Sequence, residues 1–371
     1  MKKNKRSSLF TITEASHPIP NEAGVEGAKR ILKVVQKAKE NDLVVVLISG
    51  GGSALMPLPA PGNSLQDKQK ITALLLQSGA SIQEINIVRK HLSLVKGGQM
   101  LRSINESCKV ISIIISDVID DDLASIASGP TSPDCSTFKH ALDVLRKYNL
   151  ADELDAVTKY IMAGVNGKIR DTPKSNDPIF SNVDNIIIGN NSSACQTGCN
   201  FLQKRGLNAV HLGSRFDGEA KKFGAFLAQL GSDLKVKNFA IVAGGETTVR
   251  LNKARNGLGG RNQEAALAFA IGLDRTDIAT VFVGTDGIDG NSDAAGGIIS
   301  SKTSSLYKRS DMQKYLGRHD SYHVLKRMHS LIFTGYTGTN VNDIAIMVCS
   351  PKASSKRKNH QSVSFANCKR Y

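Results

Sequence analysis

Short Val/Ile-rich runs that each end in a cluster of Gly, Ser, Asn or Asp, and then lead into an amphipathic stretch of helical length, constrain this chain more than any other feature. Five such runs occupy residues 43–48, 110–115, 185–188, 239–243 and 280–283, and they precede SGGGSAL, SDVIDDD, GNNSSA, GGETTV and GTDGIDG. Two more, 331–333 and 344–348, flank TGYTGTNVND. Helical patterning covers 24–40, 67–77, 137–148, 194–204, 219–230 and 262–273. Runs apolar on both faces suit buried parallel strands, and strand alternating with helix predicts an α/β protein of mostly parallel, Rossmann-like sheets flanked by helices. At 371 residues the chain exceeds what one core serves, which predicts two domains. The polar, Lys-bearing stretch 230–238 is the expected boundary, giving domains at 17–232 and 238–350. A basic leader (1–16) and a basic tail (351–371) flank them, the tail lacking any periodicity and expected to be disordered.

Several function classes fall away early. The longest apolar runs are far shorter than the ~18–20 residues of a membrane helix. Six Cys in a chain of this length form no disulfide framework, and Cys195 and Cys199, four apart, read as buried thiols of a reducing compartment. The net charge of +15 suggests nucleic acid, but its placement does not. Ten of the fifteen charges sit at 1–6 and 351–371, and a further five at 301–330, leaving the motif-bearing body neutral. His319 and His323 lack a partner motif for zinc and read as a surface helix, and no GxSxG elbow is present. Cytoplasm is the default compartment, with a mitochondrion as the second reading; no membrane and no specific nucleic acid are expected as partners, and a homodimer is left open.

Ligands of open parallel sheets bind beyond the carboxyl ends of the strands, so the loops are where chemistry is expected. Gly50, Gly51, Gly52 and Ser53 stand between a strand and a helix start, an anion-binding arrangement weighed against a tight turn. It is not a P-loop, and GLGG before Arg261 does not follow a strand as a dinucleotide fingerprint does. In INIVRKHLSLVKGG, Arg89 and Lys96 are seven apart and share one side of a helix, permitting joint contact with a polyanion; for Lys90 and His91 a solvated face is the blander reading. Asp117, Asp286, Asp289 and Asp293, with Glu246, are candidates for holding Mg²⁺ beside phosphates, while Asp121 or Asp122 reads as a cap. In GGRNQE, Arg261 opens a helix among glycines and suits bidentate phosphate recognition.

Eight strings in order carry a resemblance: HPIPNEAG, SGGGSAL, INIVRKHLSLVKGG, SDVIDDDLASIASGPTSPD, GGETTV, GLGGRNQE, GTDGIDGNSDAAG and TGYTGTNVND, between Glu14 and Met347. On these the chain resembles the class II glycerate kinases, built of DUF4147 and MOFRL domains and often labelled hydroxypyruvate reductase. The resemblance implies ATP-dependent, Mg²⁺-assisted phosphorylation of D-glycerate to 2-phosphoglycerate, with the active site in the cleft between two α/β domains. It implies catalytic roles for Arg261, Lys96 and Asp286. Nucleotide contacts fall to Gly50, Gly51, Gly52, Ser53, Asn190, Glu246, Gly260, Asn262, Thr337 and Asn340, substrate contacts to Arg89, Asp117 and Ser128, and metal contacts to Asp117, Asp286 and Asp289. Asp120 stands where the family has Gly, and Tyr336 where it has Pro. Family members carry a longer N-terminal segment with a Gly-Lys loop, so the first domain is expected to be incomplete at its start. The alternatives are a catalytically impaired nucleotide or sugar-acid binding fragment, a nucleic-acid binder and, more weakly, a reductase.

Overall fold

A computed structural model of the chain describes residues 10–234, 236–251 and 257–349; the basic tail 351–371 and most of the leader lie outside the described residues. The chain divides into two compact units, Met1–Asn190 with Thr339–Val341, and Asn191–Gly338 with Asn342–Tyr371. Composition had put the boundary at 232–238. Strand 208–216 overrules it, because its backbone pairs with strand 239–245 and so commits the helix before it and the helix after it to the second unit. Among the described residues no helix is long and apolar enough to cross a membrane.

In the first unit, β1 (Leu43–Ile48), β2 (Lys109–Ile115) and β3 (Val183–Gly189) form a parallel sheet in that order. Around it stand α1 (Glu22–Val35), the single turn α2 (Gly52–Leu55), α3 (Leu65–Gln77), α4 (Ile82–His91), α5 (Phe138–Lys147) and α6 (Asp155–Val165). The starts of α3 and α4 are local: Ser64 with Asp67, and Ser81 with Glu84, form capping boxes that satisfy otherwise orphaned N–H groups. Ile71, Leu75, Ile85, Val88, Leu145 and Ile161 lock four of these helices into one apolar cluster. The strands, read as buried on both faces, are covered on one. Val45, Leu47, Ile186 and Ile188 point to the other and are exposed, Leu47 at 76%.

The second unit is a six-stranded sheet ordered β4-β5-β9-β6-β7-β8, from β4 (Asn208–Phe216), β5 (Phe239–Gly245), β6 (Ile278–Gly284), β7 (Gly296–Ser300), β8 (Leu331–Ile332) and β9 (Asp343–Cys349). The expectation of a mostly parallel sheet fails here. β9 enters between β5 and β6 and pairs antiparallel with both, and β7 returns from β6 antiparallel, so only β4–β5 is a parallel pair. Helix α7 (Asn191–Lys204) sets Cys195 and Cys199 against Ala240 and Val242 on one face, as buried thiols. On the other, α8 (Ala220–Asp233) and α9 (Arg261–Gly272) pack with Phe239, Ile241, Phe282 and Met347. The basic stretch 301–330 folds as α10 (Ser301–Ser304), α11 (Arg309–Gly317) and α12 (Ser321–Arg327).

Helix α9 is buried from Asn262 to Ala270, polar side chains included, because α8 crosses it at bare backbone. A Cβ at Gly224 of α8 would lie 2.0 Å from the Ala265 carbonyl oxygen. Ala would gain about 1 kcal/mol of helix propensity over Gly. Overpacking at this overlap costs about 3 kcal/mol, and the backbone atom it meets cannot swing aside. Gly224→Ala should therefore lower stability in urea unfolding by about 2 kcal/mol, whereas a gain would place the α8–α9 contact elsewhere.

Candidate active-site regions

Each unit gathers several of the sequence-predicted residues, and each is described within itself. In the first, the SGGGS loop ends β1. A Cβ at Gly50 would lie 2.2 Å from an Asp117 carboxylate oxygen, Gly51 has φ +80°, and a Cβ at Gly52 would lie 2.7 Å from that of Ala127. All three glycines thus have a packing or conformational reason to be there. The helix they introduce, α2, is a single turn, too short to supply a useful dipole. The loop contributes a side chain instead: Ser53 Oγ lies 2.9 Å from Ser128 Oγ, and Lys96 Nζ donates to the Ser53 carbonyl (2.7 Å) and to its Oγ (3.0 Å).

The backbone beneath is unusual. Asp120, Asp121, Ala127 and Ser128 all have positive φ, a cost of about 1–3 kcal/mol each for non-glycine residues. Asp120, at φ 69°, occupies a backbone position that favours Gly. Asp122 caps no helix N-terminus; it accepts from Ala124 N and Ser125 Oγ within its own turn, while Asp121 accepts from the Asn190 side chain. Asp117 accepts from Asn340 Nδ2 at 3.4 Å.

The basic run is not a solvated face. Helix α4 ends at His91, so Lys96 lies beyond it, and the nearness of Arg89 and Lys96 comes from tertiary packing rather than helical periodicity. Lys90 is buried against Asp134 (3.3 Å), and His91 is buried with its ring nitrogens on Ile87 O and Asp171 Oδ1. Burial raises the Asp171 carboxyl, but the bond and charge of His91 outweigh it and hold the group down at about 2. Lys96 is buried as well. Its ammonium is pushed well below the usual range by burial and then by the charges of Lys68 and Arg89.

Lys68, on α3, escaped the sequence reading. It stands in phase with Leu65, Ile71 and Leu75, all buried, so a charge on the apolar stripe was the available signal. It is 6% exposed, and its Nζ has no hydrogen-bond partner among the described residues. Burial, with Arg89 adding, brings the group down to about 7. Between about pH 7 and about pH 8.5 the unfolded chain therefore keeps a proton that the folded protein releases, so stability rises with pH by up to ~1.4 kcal/mol per unit. Urea midpoints of the ligand-free protein should climb over that window, and Lys68→Met should remove the part of the climb that Lys68 contributes, leaving the part due to Lys96.

In the second unit Arg261 is the first residue of α9. Its Nε and one terminal nitrogen hold both oxygens of Asp343 (2.6 and 3.1 Å), and the other terminal nitrogen holds Glu246 (2.9 Å). Burial outweighs Arg261 and raises the Asp343 carboxyl to about 6. Three of the five guanidinium N–H donors are thereby used, which leaves two for a ligand.

Asp289 departs from the metal reading. It is buried, and its two oxygens accept from the backbone N–H and side-chain amides of Asn262 and Gln263, so it serves as the cap of α9. Gly260 is pressed against it, and Asn262 also donates to Asp343 at 2.8 Å, which places both in the support of Arg261 rather than on an open surface. Asp293 accepts from the Tyr322 hydroxyl. Asp286 is different: Oδ1 accepts from Ile288 N, while Oδ2 accepts no bond among the described residues. Thr337 braces this loop through Asp286 O and Thr285 O. His319 is no surface residue; it is buried on Glu264 at 2.8 Å. Asp343, which sequence reasoning passed over, sits at the end of the TGTNVND string where β9 begins.

The first α/β unit thus gathers buried cations, and the second holds an arginine in a carboxylate fork. A domain of unknown function, DUF4147, matches residues 1–162, and the MOFRL family matches residues 239–343. The D-glycerate 2-kinase of Thermotoga maritima is 42% identical over 91% of this chain and 79% of its own, and the glycerate 2-kinase of Pyrococcus horikoshii 41% identical over 94% and 80%. A crystal structure of glycerate kinase from Thermotoga maritima superposes with a TM-score of 0.85 at 41% identity, covering 93% of this chain and 82% of that one. The chain belongs to the class II glycerate kinase family.

Proposed function

We infer that the protein transfers the terminal phosphoryl group of ATP to the 2-hydroxyl of D-glycerate. The observation that carries this is the 42% identity to a D-glycerate 2-kinase over nine-tenths of the chain; the chemistry of the two sites agrees with it. Phosphoryl transfer asks for positioning and charge neutralisation more than for covalent chemistry. The substrate hydroxyl oxygen attacks the γ-phosphorus as the bond to the bridging oxygen of ADP breaks, and the hydroxyl proton is released to solvent water.

Arg89, Lys96 and the Ser53–Ser128 hydroxyl pair hold the substrate, and Asp117 accepts a hydrogen bond from a substrate hydroxyl. Arg261, oriented by Asp343 and Glu246, offers its two unused N–H donors to phosphate oxygens. Mg²⁺ neutralises phosphate charge when bound and keeps several of its own waters, so one or two carboxylates suffice. Asp286, with its uncommitted oxygen, fits that need; Asp289, with both oxygens taken, does not. Purified protein with MgATP should release ADP when D-glycerate is supplied and none when it is omitted. ADP release indifferent to glycerate would refute the assignment.

A further inference from the structure

Lys68, Arg89 and Lys96 lie close enough for their charges to act on one another, and no ion pair joins any of the three to a carboxylate among the described residues. Helices α3 and α4 carry the first two and pack through Ile71, Leu75, Ile85 and Val88. Leu65, one turn before Lys68, shares an apolar cluster with Val95, the neighbour of Lys96. Lys96 donates to Ser53, and Lys68 Nζ has no acceptor among the described residues. A buried ammonium without a partner is costly, and a fold keeps one only where something else supplies the missing charge.

We propose that Lys68 is the specificity-determining residue of the first unit, a buried cation whose partner is a compact oxyanion, the carboxylate of a small hydroxy acid. This rests on the kinase reading for the identity of the acid, but the oxyanion site stands on geometry of its own. Its consequence is selection. A carboxylate draws the proton back onto the buried Lys68 and pairs with the ammonium so formed, whereas a neutral polyol brings no charge for it to pair with. Pockets built around one buried polar partner reject the analogue lacking it by ~10⁴-fold. Glycerol and glyceramide, which keep the hydroxyls and lose the charge, should therefore be rejected.

The oxyanion has two sources, the substrate carboxylate and a phosphate, and calorimetric titration separates them. With D-glycerate and with inorganic phosphate as probes, wild-type protein near pH 8 should bind D-glycerate more tightly. It should take up about one proton as the anion restores the ammonium form, seen as a heat that varies with the ionisation enthalpy of the buffer. Lys68→Met should lose that proton uptake and weaken D-glycerate binding by ~10²-fold or more, with Lys68→Arg recovering part of it.

The ligand-free Lys68→Met protein should melt no lower than wild type, since an uncompensated charge has been removed; if it does not fold, Lys68→Gln and Lys68→Arg carry the same comparison. Phosphate binding tighter than glycerate, with the same dependence on Lys68, would overturn the carboxylate assignment. Unchanged glycerate affinity and proton uptake in the variants, or no binding of either anion to wild type, would overturn the site. Anion binding without turnover counts against the kinase reading alone, and turnover with an unaltered KM in Lys68→Met counts against Lys68 alone.

Discussion

Arg261→Ala is expected to cut the turnover of D-glycerate by ~10³-fold or more, the scale on which a single arginine stabilises a transferring phosphoryl group. Structure matters as well as charge, because the guanidinium grips Asp343 in two parallel bonds and Glu246 in a third. Removing it strands a buried carboxylate, a loss of about 3–5 kcal/mol for a fully buried pair and less here, since the Arg261 side chain is 31% exposed. Stability and catalysis separate in the double variant Arg261→Ala/Asp343→Asn. Removing the stranded charge should return most of the stability and none of the rate. Arg261→Lys keeps the charge but not the fork, and should stay closer to Ala than to wild type. A single Ala variant with an unaltered rate would reduce Arg261 to a brace between the end of β5 and the start of β9.

Lys96→Met carries the second large effect, in the opposite balance of stability and activity. The side chain is almost fully buried, its ammonium reaches only Ser53 among the described residues, and like charges press on it from Lys68 and Arg89. Methionine fills a similar volume without the charge, so thermal stability should hold or rise. The kcat/KM for D-glycerate should fall by ~10²–10³-fold, the loss typical of one preorganised donor in a closed site. Were Lys96 only a strut for the glycine loop, Met would lower stability and leave kcat/KM near wild type.

What was legible in the sequence followed from local patterning. The Val/Ile runs located β1, β2, β3, β5, β6, β8 and β9, because a continuous β-branched run is a local property. Strand β4, with His211, Gly213, Ser214 and Arg215 along an edge, and β7, opening on two glycines, lack such a run and went unread. The direction of β9 was beyond local patterning, since pairing on both sides in the antiparallel sense is a matter of topology. In the site regions, the reasons offered for Lys96 and for the loop glycines were local where the structure supplies distant ones. Lys96 reaches Ser53 from beyond the end of α4, and the three loop glycines answer to Asp117, to a left-handed turn and to Ala127. Asp289 shows the converse: a loop carboxylate that resembled a metal ligand is consumed by the first turn of α9. Lys68 was readable in principle, as a charge in phase with three buried aliphatic residues.

Phosphorus NMR of the product formed from MgATP and D-glycerate tests the central claim most directly. Phosphorylation at the secondary carbon couples the new phosphorus to a single proton, and phosphorylation at the primary carbon couples it to two. The account predicts a doublet that grows as ATP is converted to ADP, and that grows more slowly by ~10²-fold or more with Arg261→Ala or Lys96→Met. A triplet would place the phosphoryl group on the other hydroxyl, and an unchanged ATP spectrum from folded protein that binds D-glycerate would contradict the kinase assignment.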